Sequence, residues 1–347
     1  MRAAARYAPG VVRPRPAPDV APVRVAVVGT GEWWGRHHAE LFAGRADTSL
    51  VAVVGRDPDR TAARAAEFGA AAFVDLDEML ERARPDLVTV CLPNERHYEP
   101  TLRLIRAGVP LLLEKPLVFA ADEADILVAE AARWNPFVGI NFNHRYAKPV
   151  RLAVAAVERG DLGRLAFATW RFGGEPGTSR HPHANLIETQ CHGLDLLEHL
   201  CGPIESVVAQ LADPSGHGWS TLVVAARFGN GAVGSLVGSY DSSYAYQDTH
   251  RVELNGTAGR ILIDDTVRRY SFQRAEDETA HVWQAGYFND TDRSFHATFD
   301  RHVDELLAAL RAGAAPPVPI GAGRRALRLA DAIISSYETG TRISTLL

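Results

Sequence analysis

Between Val23 and Phe142 the chain repeats one rhythm, a short apolar run followed by a stretch whose apolar residues fall three and four apart. The runs are Val23–Val28, Leu50–Val54, Leu87–Leu92, Val109–Leu113 and Phe137–Phe142. Between them lie Gly35–Ala43, Asp59–Phe68, Glu99–Ala107 and Asp122–Ala132. Strands that are apolar along their whole length belong in a sheet covered on both faces, and alternation with amphipathic helices makes that sheet parallel. The order βαβαβ predicts a doubly wound α/β layer, a Rossmann domain, over residues 23–145.

After Arg145 the rhythm changes. A helix over Pro149–Arg159, a strand over Leu165–Phe172 and a helix over Glu188–Leu200 precede strand-like runs with no helix between them. These are Ser206–Leu211, Ser220–Phe228, Ala232–Tyr240, His250–Asn255, Gly259–Ile263 and Val267–Gln273. Consecutive strands imply a large, open, mostly antiparallel sheet, so 146–347 reads as an α+β domain. Two helices, Phe295–Arg311 and Arg324–Gly340, close the chain. Helices on one face leave the other face needing cover, and a second subunit is the simplest cover.

Of 347 residues, 46% are hydrophobic and 23% charged, with a net charge of −5. That is the balance of a soluble globular protein with room for two domains. The acidic excess argues against nucleic acid or an anionic membrane as partner. Three cysteines, Cys91, Cys191 and Cys201, have no CxxC spacing and cannot all pair, which fits a reduced, cytoplasmic compartment. No apolar run approaches the roughly 18 residues needed to span a bilayer. Residues 1–22 carry five prolines and no apolar core, and read as a disordered tail rather than a secretory signal.

The first strand runs into Gly29-Thr30-Gly31-Glu32-Trp33-Trp34-Gly35. Gly29 permits a tight turn, Gly31 lets the backbone approach a pyrophosphate, and the helix that follows aims its N–H groups at the anion. Position in a strand–turn–helix unit is what gives the glycines meaning. The third glycine comes one residue late, with Trp34 in its usual place. The second strand ends Gly55-Arg56-Asp57. A carboxylate at this tip accepts a ribose 2′-hydroxyl in NAD sites; Arg56 offers a guanidinium suited to a 2′-phosphate instead, so NADP(H) is favoured with NAD(H) as the alternative.

The segments Val90-Cys91-Leu92-Pro93-Asn94 with His97, Glu114-Lys115-Pro116, and Asn141-Phe142-Asn143-His144-Arg145-Tyr146 resemble the Gfo/Idh/MocA oxidoreductases. The likeness continues through Gly160-Asp161-Leu162-Gly163, Glu188/His192/Asp195, Gly256-Thr257-Ala258-Gly259 and Gly323-Arg324-Arg325-Ala326-Leu327. The resemblance implies a Rossmann domain with an open-faced sheet domain, assembled as dimers or tetramers through that sheet. It implies hydride transfer between a nicotinamide and a carbinol of a sugar, cyclitol or polyol. It also implies that Pro93, Asn94, His97, Glu114 and Lys115 stand by the cofactor and Arg145 by the substrate.

Lys115 follows an apolar strand at the carboxyl edge of the parallel sheet, where ligands of such folds bind. Its ammonium can stabilise negative charge on a substrate oxygen. Glu188, His192 and Asp195 are spaced i, i+4 and i+7, one face of a helix. His192 is the expected proton acceptor, Glu188 its charge balance, and Asp195 its support from behind. His181 and His183 are expected to line the substrate mouth; with Glu188 and His192 they also have zinc-ligand chemistry, but a hydrolase would leave the glycine loop unexplained, and no metal is expected. Tyr240, Tyr244 and Tyr246 suit strand packing or a sugar ring. A non-catalytic dinucleotide sensor and a glycosidase with retained cofactor are the competing readings.

Overall fold

The computed structural model describes residues 21–134, 137–176, 179–216 and 218–346. The expected tail lies outside them except for its last two residues. Among the described residues no helix is long and apolar enough to cross a membrane.

The first sheet contains β1 (Val23–Val28), β2 (Thr48–Val54), β3 (Ala71–Phe73), β4 (Leu87–Val90), β5 (Leu111–Leu113) and β6 (Val138–Ile140), in the order β3-β2-β1-β4-β5-β6. Every pairing is parallel. Its helices are α1 (Trp34–Gly44), α2 (Pro58–Phe68), α3 (Leu76–Ala83), α4 (Tyr98–Arg106) and α5 (Ala121–Trp134). Boundaries follow local chemistry. Asp57 caps α2 by accepting from the Arg60 N–H, Pro58 opens the helix, and Gly69 ends it at φ 69°, a left-handed stop that suits glycine. The strand expected from Val109 begins only at Leu111, because Pro110 has no N–H to give a ladder. Strand β3 and helix α3, absent from the sequence reading, fill the gap between α2 and β4.

The second part holds α6 (Lys148–Glu158), β7 (Leu165–Gly173), α7 (Cys191–Cys201) and then β8 (Ile204–Ala212), β9 (Thr221–Phe228), β10 (Val233–Ser239), β11 (His250–Gly256), β12 (Gly259–Asp264), β13 (Arg269–Arg274) and β14 (Ala280–Gln284). After α8 (Asp290–Arg293), α9 (His296–Arg311) and α10 (Ile320–Thr339), the short β15 (Ile343–Ser344) joins the far edge. The nine strands run β14-β13-β12-β11-β7-β10-β9-β8-β15. Only the β7–β10 pair is parallel, so the sheet is mixed and mostly antiparallel. Strands β14 and β15 and helix α8 are further elements that the sequence reading lacks.

Packing crosses the expected boundary at 145/146. Phe299, Val303, Leu306 and Leu307 of α9 share a buried cluster with Val25, Val27, Phe42 and Leu112, so α9 covers one face of the parallel sheet. Ala26 and Val28, pointing the other way as strand alternation requires, join the larger cluster that continues into the second sheet. The approach to α10 adds to β6 through the Ile140 N–H on the Val318 carbonyl at 2.9 Å. The parallel sheet is therefore packed against later parts of the chain on both of its faces. The second sheet's open face exposes Val208, Val223, Val233 and Val282.

Candidate active site

The glycine loop accommodates its extra residue as a turn over Glu32 and Trp33 before α1 begins. Gly29 has φ 136°, and a Cβ there would lie 2.4 Å from the Cys91 carbonyl oxygen. Gly35 does the packing of the usual third glycine despite its late place: a Cβ on it would lie 2.8 Å from the Gly29 carbonyl oxygen. A Cβ on Gly31 would meet nothing within 4 Å, so the backbone here borders open space at a helix N-terminus, the cradle a pyrophosphate requires. The loop's side chains divide. Trp33 is 73% exposed. Trp34 is half-buried and packs edge-on against Phe299 of α9 at 6.1 Å. Glu32 is held by Arg64 at 2.7 Å. Buried Thr30 accepts from Arg60 Nε at 3.0 Å, an arginine the sequence reading missed. Arg56 stands exposed at the strand tip.

Across the sheet edge, Pro93 and Asn94 open a short 3₁₀ turn after β4. Two residues expected beside the cofactor, His97 and Glu114, brace the surrounding loops. Both ring nitrogens of His97 face backbone carbonyls, Leu92 at 2.9 Å and Pro116 at 2.8 Å. The ring clasps the loop after β4 to the Lys115–Pro116 turn. The Glu114 carboxylate is buried, bonded by His38 Nε2 at 3.0 Å and Asn141 Nδ2 at 2.6 Å. Burial pushes it up, but the His38 and Asn141 hydrogen bonds and the Lys115 charge outweigh that and hold it below the usual carboxylate range.

Lys115 reaches over to the second part of the chain, its Nζ donating to the Glu188 backbone carbonyl at 3.0 Å. Glu188 is not on the α-helix that its spacing suggested. Asn185–Thr189 forms a π turn, Gln190 follows, and α7 starts at Cys191. Such wide turns recur at functional sites, and this one presents the Glu188 carbonyl to Lys115. The Glu188 carboxylate is buried with Oε1 unpartnered. His192, in the first turn of α7, is buried, and burial followed by His144, Lys115 and His250 holds it well below the usual imidazole range. Its Nδ1 is sealed away without a partner, so chemistry at this ring falls to Nε2.

Asp195 does not support His192. It binds Arg145 through both oxygens, at 2.8 and 2.5 Å, and that ion pair occupies both the expected substrate arginine and the expected backing acid. His181 and His183 lie in the segment that leads into the π turn. His181 packs on Phe119 at 4.7 Å, His183 faces Trp219 at 6.5 Å, and Ser179 bonds Glu95 across the cleft. Among the described residues no group of three or more His, Cys, Asp or Glu side chains is placed to hold a metal ion. Tyr240 bonds Thr189 at 2.7 Å beside Glu188. His144 and His250, neither singled out from sequence, complete the wall. His144 sits inside the quoted Asn141–Tyr146 motif; His250, at the start of a strand, carried no local signal.

A parallel sheet whose phosphate loop and lysine share one edge, closed over by a histidine-bearing helix, defines a dinucleotide-binding oxidoreductase. Residues 23–142 match an oxidoreductase family with an NAD-binding Rossmann fold, and 156–345 match the C-terminal alpha/beta domain of the same family. The chain belongs to that family, the Gfo/Idh/MocA oxidoreductases. It is 26% identical to a D-glucoside 3-dehydrogenase of Escherichia coli, with 93% of this chain and 97% of that one covered. It is 28% identical to an inositol 2-dehydrogenase of Rubrobacter xylanophilus, over 94% and 95% of the two chains. A levoglucosan dehydrogenase solved with NADH and levoglucosan shares its fold at a TM-score of 0.83 and 19% identity, covering 94% of this chain and all of that one.

Proposed function

We propose that this protein is a dehydrogenase that moves a hydride between a nicotinamide dinucleotide, NADP(H) by preference, and a carbinol or ketone carbon of a sugar, cyclitol or related polyol. The observation that carries the reading is Lys115 at the carboxyl edge of the parallel sheet, its Nζ on the Glu188 backbone carbonyl and its charge acting on buried His192. The relatives named as glucoside and inositol dehydrogenases support the substrate class.

The nicotinamide ring supplies the hydride acceptor or donor. Backbone at Gly29–Gly35 would hold the pyrophosphate, with Pro93 and Asn94 beside the ring. In the oxidising direction His192 Nε2 takes the hydroxyl proton as the carbon–oxygen double bond forms. The Lys115 ammonium stabilises charge growing on that oxygen. Glu188 balances the positive charge that His192 acquires, and His181 and His183 border the sugar at the mouth.

The NADP(H) preference rests on the corner at the tip of β2. A Cβ on Gly55 would lie 2.4 Å from Thr61 Oγ1 and 2.6 Å from Thr30 Cγ2, so a side chain at this tip would have to displace both threonines. Asp57 is spent capping α2, while Arg56 and Arg60 bring positive charge to the same corner. The open valine-bearing face of the second sheet is proposed as the contact of a homodimer or homotetramer, and three buried free cysteines fit a reduced, cytoplasmic setting. The test is turnover of myo-inositol, methyl β-D-glucoside and levoglucosan with NADP+ and with NAD+. Reduction of NADP+ by at least one of them is expected. Tight cofactor binding with no turnover across a broad polyol panel would instead indicate a sensor.

A further inference from the structure

A proton-relaying histidine ordinarily has a carboxylate or carbonyl on its second ring nitrogen, which fixes tautomer and orientation. His192 has neither: Nδ1 is buried without a partner, and Asp195 is taken by Arg145. What holds the ring is aromatic. His144 lies face to face with it, centroids 4.1 Å apart at 16°, and Phe142 meets it edge-on at 6.0 Å. His144 is in turn boxed by Trp170, Phe172 and Phe295 at 6.0, 5.8 and 5.3 Å. Its own Nδ1 is equally sealed and unpartnered.

We propose that His144 is the positioning residue for His192, holding the proton-accepting imidazole by ring stacking where a hydrogen-bonded carboxylate would otherwise stand. The proposal rests on the assignment of His192 as proton acceptor. The stack fixes the plane of His192 and with it the direction of Nε2. It also limits charge, since two imidazolium rings this close repel, and charge on His144 disfavours protonation of His192. Lys115 after β5 and His250 on β11 act on both rings through charge; Glu188 on the π turn and Cys191 and Asp195 of α7 are the titratable neighbours of His192 along the chain, and Arg145 follows His144. Asp195 is paired with Arg145 and the His192 Nδ1 has no partner, so stacking carries the orientation.

The test is a series in the full chain, His144→Phe, His144→Gln and His144→Ala, assayed with myo-inositol and methyl β-D-glucoside. Phe keeps the stack and loses the nitrogens; Gln keeps hydrogen bonding and loses the stack. His144→Phe is expected to keep most of the turnover, with the acid limb of kcat/KM moved to higher pH because a like-charged neighbour is gone. The Gln and Ala variants are expected to lose roughly tenfold or more in kcat at little change in KM, the cost of a misaimed catalytic group. Retained turnover in Gln with loss in Phe, or three variants like wild type, would overturn the proposal. Imidazole NMR, with the His192 resonance assigned by its loss in His192→Asn, reads the stack without turnover: its shift should persist in Phe and move in Ala. No change in Ala overturns the stack, whereas a wild type inert on every polyol with the NMR as expected would sink the functional reading alone.

Discussion

The Arg145–Asp195 pair shows how far a residue's role depends on a partner that sequence cannot supply. The two lie 50 positions apart, so Arg145 reads as a ligand-facing cation and Asp195 as a histidine's support until the fold brings them together. Removing one member strands a buried charge, so Asp195→Ala should cost about 3–5 kcal/mol by chemical denaturation, with much of the loss recovered in Arg145→Leu/Asp195→Leu. A fall in kcat at unchanged stability would instead make Asp195 the support of His192. Arg56 makes a second residue-level case. Arg56→Ala should weaken NADP+ binding by roughly tenfold and leave NAD+ binding nearly unchanged, because only the former carries a phosphate for the guanidinium. Calorimetric titration decides it, and equal losses for both cofactors would refute the corner. Motif and spacing made Lys115, Glu188 and His192 legible as candidates, and the fold brings the Lys115 Nζ onto the Glu188 carbonyl. The support roles of His97 and Glu114 were not legible, since each is set by carbonyls and side chains from other loops.

At the scale of elements, α7 sits where it does because two glycines let it. A Cβ on Gly193 would fall 2.4 Å from Trp170 Nε1, and one on Gly238 would fall 2.4 Å from Gln190 Cδ. Trp170 is buried and donates to Gln190 Oε1 at 3.0 Å, so it has little room to yield. Gly193→Ala should therefore destabilise by about 1–3 kcal/mol, although alanine is the better helix former. Urea melts measure this, and a neutral or stabilising result would mean that the α7–β7 contact is looser than described. The apolar runs of both sheets were legible from their periodicity. Strand β3 was not, being the short run Ala71–Phe73 at a sheet edge, too short for alternation to register. The π turn at Asn185–Thr189 was invisible for another reason: one widened turn leaves the helical pattern of side chains almost unchanged.

For the whole molecule, buried imidazoles set the response to acid. Burial lowers His37, His199 and His250 to about 4 and His302 to about 3, and holds His144 and His192 well below the ordinary value. In the unfolded chain these rings take up protons near pH 6.5, so below that the unfolded state binds more protons than the folded one. Stability is thus complete above about 6.5 and lost progressively as pH falls toward about 4. Differential scanning calorimetry should show Tm level near neutrality and falling across that window; a level Tm down to the lower limit would contradict the burial of these rings. The same closed interior brings Lys115, after β5, within electrostatic reach of His192 on α7, and this convergence is the centre of the functional account. Its most direct test is kcat for NADP+-linked oxidation of the best polyol substrate in wild type, Lys115→Met and His192→Asn, with NADP+ affinity measured alongside. Both variants should lose roughly a hundredfold or more in kcat while binding NADP+ as wild type does. Turnover persisting at the wild-type rate in Lys115→Met would contradict the account.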